Sequence, residues 1–508
     1  MERIELDEFT ECLKKSWSLE NYERLEKFIE KIEAEKNHDK RLSEGLQGAL
    51  EYILYKTPMN GLHMIWFLSA LASVFPNEKY INLILKQALY NEDYSPVKEY
   101  LSYQIKSFLF NQPEYAGIET RRLQNALHQK ICSEIRSQVD IHPKRKEERN
   151  RNKVIVMTAN FLSERHAPTH STLERCMMLK NILGAEVSIV STTENVFYEP
   201  GIPYYKGWMA NCMEELNGLH LYPYKGQEYL LYQESEFAYS PEGVQNIINY
   251  VEEVNPYYMI YIGGESVIAD ILNEFCPVMT ISTVFSSVPN GNTAFKMVGR
   301  KVAEEERVDI VGKIIETPFT FELAEKKHTF TRAELGIPAD QWAMAVVGNR
   351  LDADVKDDFL ETMQKVENGY LVFIGNFSEY EKKKQKYPWL EEHSVSLGYV
   401  TDVIGVLECM DLYVNPKRLG GGFSVVEAFH AGIPAVSIQY GDVAIAAGED
   451  FCVSGYEEML KKIDCYQSDA AFYKKMIGLA KDREEELTNG EAAFKIGVEE
   501  MLSSESFY

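Results

Sequence analysis

Up to about residue 140, apolar positions recur every three or four residues. Leu25, Phe28, Ile29 and Ile32 share one helical face with charged residues between them, and Gly and Pro are sparse. Residues 1–145 are therefore expected to form an all-helical domain. Ser95-Pro96 reads as an N-cap with proline at the first helical position. The most apolar run, Met59 to Phe75, is about 17 residues long, contains His63 and is followed by Pro76. It predicts a buried helix rather than a membrane span. No internal repeat is evident.

At Lys153 the pattern changes. Val154 to Met157 is a short continuous apolar run, as expected of a strand buried on both faces of a parallel sheet. A loop follows, then a helical pattern from about Ser171 to Leu183 ending at Gly184, then a strand at Val187 to Val190. Ser240-Pro241 starts another helix, with Val244, Ile247, Ile248, Val251 and Val254 on one face, and Tyr258 to Ile262 is the next strand. Thr280 to Val284 reads as a further strand. A second alternating series begins near Trp342, with strands at Ala343–Val347, Tyr370–Ile374, Leu412–Val414 and Ala435–Ile438. Alternating strands and helices imply two doubly wound parallel sheets. The expected fold class is α/β, with two tandem Rossmann-like domains at 152–325 and 330–508 after the helical domain. The charged stretch Pro143 to Arg151 reads as the linker between the helical part and the first sheet.

Composition narrows the function. The chain of 508 residues is 45% hydrophobic and carries a formal charge of −25, which disfavours a broad nucleic-acid footprint. An anionic small ligand is still compatible, because helix N-termini and a few local cations suffice to hold a diphosphate. The eight cysteines are scattered without a CxxC pair, so the common zinc spacings are absent and free thiols in a reducing compartment are expected. Met1 to Glu5 is charged, without the apolar segment of a secretory leader. A cytoplasmic protein without a transmembrane segment is the expectation.

The most informative stretch is Asp411 to Phe451. A strand runs into Asn415-Pro416-Lys417-Arg418-Leu419-Gly420-Gly421-Gly422-Phe423-Ser424, a helix carrying Glu427 follows, and Gly432-Ile433-Pro434 leads to the next strand. Glycines after a buried strand let backbone N–H groups approach a ligand. The helix beginning near Ser424 aims its positive end at the same spot, and Lys417 and Arg418 add cations. The whole reads as a phosphate cradle, with Glu427 in the first turn placed for ribose hydroxyls. Neither a Walker loop nor GxGxxG is present.

Ala333 to Pro338, Ala345 to Leu351, Leu397 to Val400 and the Asn415–Glu427 block occur in the order seen in the C-terminal domain of GT-B glycosyltransferases, which this region resembles. The resemblance covers about residues 330–480, and 153–330 more loosely. It implies a nucleotide-sugar site in the second sheet domain. Asn349 and Arg350 would face the donor, with Arg350 on its diphosphate. Gly420, Gly421, Gly422, Phe423 and Ser424 would cradle the phosphates beside Lys417. Glu427 would hold the ribose and Asp442 would line the same cleft. The plainer readings are a surface salt bridge for Arg350 and dipole compensation for Glu427. Many retaining members carry an acidic residue eight positions before the ribose-binding Glu; here that position is Leu419.

After the first strand comes Ser163-Glu164-Arg165-His166-Ala167-Pro168-Thr169-His170. Histidine suits proton transfer near neutral pH, and an inverting transfer needs a base for the acceptor hydroxyl. His166 and His170 are the catalytic candidates beside Arg350, with His166 preferred. The segment resembles the His-Pro-Thr loop of protein O-GlcNAc transferases and of bacterial cytoplasmic protein glycosyltransferases. Gly263-Gly264-Glu265-Ser266 is either a second ligand turn or simple helix capping. No metal site or cofactor is expected; Asp352-Ala353-Asp354 has the spelling of a DxD motif but is read as helix-start charge.

The expected function is transfer of a sugar from a nucleotide sugar, UDP-hexose or UDP-N-acetylhexosamine, to a protein or glycan. The alternatives are a non-catalytic scaffold subunit on the same fold and a sugar-nucleotide epimerase. Residues 1–145 are the expected surface for an acceptor protein, a partner subunit or self-association.

Overall fold

The computed structural model describes residue 11 and residues 19–505, apart from 37–39, 60, 91–94, 165, 197–203, 208–209, 236–239, 285–287, 308 and 318–319. The charged stretch at Met1 to Glu5 lies outside the described residues. The chain forms two compact units. One holds residues up to 176, 185–278 and 290–293; the other holds 177–184, 279–289 and 294 onward.

Among the described residues six helices open the first unit: α1 (Leu19–Lys36), α2 (Lys40–Lys56), α3 (Gly61–Val74), α4 (Glu78–Tyr90), α5 (Ser95–Asn111) and α6 (Ile118–Arg136). Leu25, Ile29 and Ile32 are fully buried, as their spacing demands. Helix α3 is the predicted apolar run. Its residues from Ile65 to Ala72 are all buried, so it is the centre of the helical core, with Trp66 packed edge-on against Tyr22 and Tyr205. Among the described residues no helix is long and apolar enough to cross a membrane.

An eight-stranded sheet follows, in the order β3-β4-β2-β1-β5-β6-β7-β8. Its strands are β1 (Asn150–Thr158), β2 (Glu186–Ser191), β3 (Gly218–Tyr224), β4 (Gln227–Gln233), β5 (Pro256–Ile262), β6 (Val278–Ile281), β7 (Phe295–Val298) and β8 (Lys313–Glu316). The β3–β4 hairpin is antiparallel, whereas β1 pairs parallel with both β2 and β5. Helices α7 (Ala167–Leu183), α8 (Pro241–Val254) and α9 (Val267–Leu272) connect these strands. Ser240 caps α8 as predicted, its side chain accepting from the Gly243 N–H at 2.9 Å.

Two expectations shift here. The strand expected at Thr280 to Val284 is β6 at Val278–Ile281, whose four residues are all buried. Helix α7 starts at Ala167 rather than Ser171, because proline needs no N–H in a first helical turn and Pro168 is accommodated there. Pro168 therefore opens the helix and puts no kink between the two histidines.

The second sheet runs β11-β10-β9-β12-β13-β14. It is built from β9 (Trp342–Val347), β10 (Gly369–Ile374), β11 (Ser394–Ser396), β12 (Leu412–Asn415), β13 (Ala435–Ile438) and β14 (Cys452–Val453). Every pairing is parallel. Strands β9, β10 and β12 are apolar on both faces, which is why they read as continuous runs without alternation. The helices that matter for the site are α10 (Leu351–Asp354), α11 (Gly422–His430) and α12 (Gly441–Ala447). The sheet grows outward from β9 in both directions, so the order reverses between β9 and β12. Open α/β sheets bind ligands beyond the strand C-termini at such a point.

Candidate functional site

The loops leaving β9 and β12 are Gly348-Asn349-Arg350 and Pro416 to Gly421. Arg418 holds them together. It is 5% exposed, and its Nε donates to Asn415 Oδ1 at 2.7 Å. Its Nη2 donates to the Tyr413 hydroxyl at 2.9 Å, and Nη1 lies 3.4 Å from Asp354 Oδ2 on the neighbouring loop. A guanidinium presents its donors in a rigid planar fork, so one side chain can tie β12, its loop and α10 together. The glycines beside it follow from this. A Cβ at Gly348 would sit 2.4 Å from Arg418 Nη1, and one at Gly421 would sit 2.8 Å from its Cζ. Gly421 also has φ +103°, a region that favours glycine. Sequence reasoning assigned Arg418 to the ligand as a cation and assigned Gly421, with its neighbours Gly420 and Gly422, to ligand approach. In the structure Gly421, together with Gly348, first makes room for a buried strut. Asn415, a polar residue ending an apolar strand, was the available sequence signal for a partner.

Lys417 remains exposed, with its ammonium 5.1 Å from the Tyr440 ring centroid and its backbone N–H donated to the Tyr456 hydroxyl. Asn349 and Arg350 are exposed, Arg350 being the N-cap residue of α10. The DxD-like pair has two separate tasks. Asp354 meets Arg418, and Asp352 accepts from Ser378 Oγ at 2.5 Å and from the Glu379 N–H at 2.7 Å. Burial works against the Asp352 charge, but those hydrogen bonds outweigh it and hold the carboxyl below its ordinary range.

Helix α11 begins at Gly422, two residues before the expected start, which moves Glu427 out of the first turn and into the second. Compensation of the helix dipole fades within the first turn, so it does not account for this carboxyl. Glu427 is 9% exposed, and burial pushes its carboxyl up to about 8. The group is thus mostly neutral at pH 7. Ser424 is turned inward: its Oγ donates to the Gly421 carbonyl at 2.7 Å and meets the Tyr413 hydroxyl at 2.7 Å. Phe423 is 36% exposed, its ring 5.4 Å from that of Phe321. Asp442 lies in the first turn of α12, where its N–H donates to the Leu419 carbonyl at 2.6 Å and fastens the glycine-rich loop. Leu419 is half-buried, so no carboxylate stands at that position.

The second unit therefore brings Asn349, Arg350, Lys417, Gly420, Gly421, Gly422, Phe423, Ser424, Glu427 and Asp442 to one end of the sheet. His166 and His170 belong to the other unit. They follow β1, whose neighbours β2 and β5 make it the reversal point of the first sheet. His166 Nδ1 is 3.0 Å from Thr169 Oγ1, and that oxygen also accepts the Leu162 N–H. Burial pushes the His166 imidazole below its ordinary value, so it is neutral at pH 7. In the tautomer that donates Nδ1–H to Thr169, Nε2 keeps its lone pair. His170 lies inside α7, its Nε2 3.1 Å from Glu174 Oε1. The Gly263–Ser266 turn resolves as capping: Ser266 accepts from the Ala269 N–H at 3.0 Å and donates to Glu194 at 2.7 Å, and Glu265 pairs with Lys106 at 2.6 Å.

Comparison with known proteins agrees with this architecture. Residues 344–469 match the family model described as glycosyl transferases group 1. The fold is similar to that of a glycosyltransferase from Rickettsia africae, with a TM-score of 0.51 at 12% identity over 70% of this chain and 100% of that one. It is also similar to an O-GlcNAc transferase from Thermobaculum terrenum, with a TM-score of 0.53 at 10% identity over 99% of this chain and 98% of that one. No curated protein sequence matches the chain. The chain has the GT-B fold of glycosyltransferases, preceded by a helical region.

Proposed function

We propose that this GT-B chain, with its group 1 glycosyl transferase domain, transfers a sugar from a nucleotide sugar to a hydroxyl or amide of a protein or glycan. UDP-hexose or UDP-N-acetylhexosamine is the preferred donor class, and no metal takes part in the transfer. The observation that carries this reading is Glu427. A carboxyl buried in the second turn of the helix after a glycine-rich loop, and pushed up to about 8, has the position and chemistry to exchange hydrogen bonds with ribose hydroxyls. The N–H groups opening α11 and the cations Lys417 and Arg350 would take the diphosphate.

In the transfer, the bond between the anomeric carbon and the diphosphate oxygen breaks as the acceptor atom bonds to that carbon. The acceptor proton goes to a base, and the nucleoside diphosphate leaves with the bonding electrons. His166 is the preferred base, because its imidazole is neutral at pH 7 and Nδ1 is anchored on Thr169. Arg350 would offset charge on the departing diphosphate. The protein is proposed to act in the cytoplasm, with residues 1–145 serving to engage a protein acceptor or a second subunit.

Leu419 favours one other reading, a non-catalytic scaffold on this fold, since it puts an apolar side chain where many retaining relatives hold an acid. Calorimetric titration of the full chain with UDP, GDP and ADP separates the two. The transferase reading expects one nucleotide to bind at micromolar affinity, with Arg350→Ala losing at least tenfold. Binding of none of the three would overturn it and leave the scaffold.

A further inference from the structure

Helix α6 turns one stripe of side chains, His128, Cys132 and Arg136, towards α9 and the segment after it. Arg136 pairs with Glu274, and Gln129 on the neighbouring stripe donates to Asn292. At the centre of this contact His128 Nε2 lies 2.7 Å from Asp270 Oδ2, Cys132 Sγ lies 3.6 Å from His128 Nε2, and Cys132 Sγ lies 3.9 Å from Asp270 Oδ2. His128 is 2% exposed and Asp270 9%.

Hydrogen bonding satisfies these three atoms in one arrangement, with His128 Nε2–H and the Cys132 thiol both donating to Asp270 Oδ2, and there the thiol contact is long. If His128 Nε2 carries a proton and donates it to Asp270, it has no lone pair for the thiol, whose remaining acceptor is then a carboxylate oxygen at 3.9 Å. If Nε2 is bare, it and the carboxylate face each other as two acceptors. One cation bonded to all three would replace the long thiol contact with a direct bond, and the three ligand atoms lie close enough together to share it. Tetrahedral zinc, with bonds of about 2.0 Å to N or O and about 2.3 Å to S, sets its ligands roughly 3.3 to 3.6 Å apart. Two of the three separations are within a few tenths of an ångström of that range, and the third is a hydrogen-bond distance.

The surroundings suit a cation. Glu99, 5% exposed, has a buried Oε2 without a hydrogen-bond partner and interacts electrostatically with His128 and Cys132. Glu265 belongs to the same network, and Lys106 is its principal partner. Asp270 is also pre-positioned: its Oδ1 accepts the Asn292 N–H at 2.7 Å, and a Cβ at Gly291 would come within 2.9 Å of that oxygen. A carboxylate held this way by outer contacts keeps its second oxygen aimed at His128.

We propose that His128 Nε2, Cys132 Sγ and Asp270 Oδ2 bind a divalent transition-metal ion of the zinc class, which pins α6 to α9. The thiol proton is released to solvent on binding and no electron is transferred. The role is structural and independent of the sugar chemistry.

The test uses the full chain, stripped with chelator and then loaded with Co²⁺ or Zn²⁺. Equimolar metal by mass spectrometry, a near-ultraviolet thiolate-to-cobalt band and a melting temperature raised by zinc are expected. The band should vanish in Cys132→Ala, fall at least tenfold in affinity in Asp270→Asn, and persist in Cys465→Ser, whose side chain is exposed. Wild-type protein that takes up no stoichiometric zinc and shows no such band would overturn the proposal, and so would a band that survives in Cys132→Ala. The wild-type readouts decide the matter even where a variant folds poorly.

Discussion

The carboxyl of Glu427 makes stability in the second unit depend on pH in a window where an ordinary glutamate is silent. Its value in the fold is about 8 against an ordinary 4.5. Between those values the unfolded chain ionises the group and the folded one does not, so the folded state holds more protons and stability falls as pH rises. The contribution is fully present below pH 4.5 and is lost as pH climbs through about 8. Each unit of separation is worth about 1.36 kcal/mol, so between pH 5 and pH 7 the protein loses about 2.5 kcal/mol from this group. For a unit of this size that is roughly 5 to 10 °C in melting temperature. Glu427→Gln keeps shape and hydrogen-bonding capacity without the proton. Its melting temperature relative to wild type is therefore expected to climb by that amount from pH 5 to pH 7, read by differential scanning fluorimetry in matched buffers. Parallel curves for the two proteins would refute the assignment of a raised carboxyl. If the ribose reading is also correct, the same variant should bind nucleotide with at least a fivefold change in affinity by calorimetry.

Two further outcomes follow from the site. Arg418→Ala removes donors from Asn415 and the Tyr413 hydroxyl and strands Asp354, so a loss of about 3 kcal/mol in denaturant unfolding is expected, and a loss below about 1 kcal/mol would sink the strut. Gly421→Ala combines φ +103° with a Cβ 2.8 Å from the Arg418 guanidinium, and is expected to cost about 1 to 3 kcal/mol and to weaken nucleotide binding; a variant as stable as wild type would mean that the turn is not locked.

Much of the fold was legible along the chain because its signals are local. Strands β9, β10 and β12, buried on both faces, appear as apolar runs, and β13 occurs at the expected Ala435–Ile438, whereas the short β11 and β14 carry no such run and were not among the expected strands. Ser240 announced α8, and the apolar stretch around Trp66 became a core helix. The helix starts at Ala167 and Gly422 were each placed too late, because proline and glycine read as breakers until their first-turn positions are known. The candidate residues around the glycine-rich loop were nameable for the same local reason: strand, turn and helix are contiguous there.

What the sequence determined by itself was the alternation of elements, the two-sheet fold class and the loop where a phosphate cradle would form, since these depend on neighbours within a few positions. Tertiary structure alone decided which partners those residues meet. Arg418 turned from a cation in a loop into a buried strut because Asp354, 64 positions away, sits across the reversal of strand order. Glu427 acquired its raised carboxyl through burial, which its place in the helix does not reveal. His128 and Cys132 meet Asp270 across 142 and 138 positions, a spacing that no local pattern contains, because only the docking of α6 on α9 brings the three side chains within bonding reach.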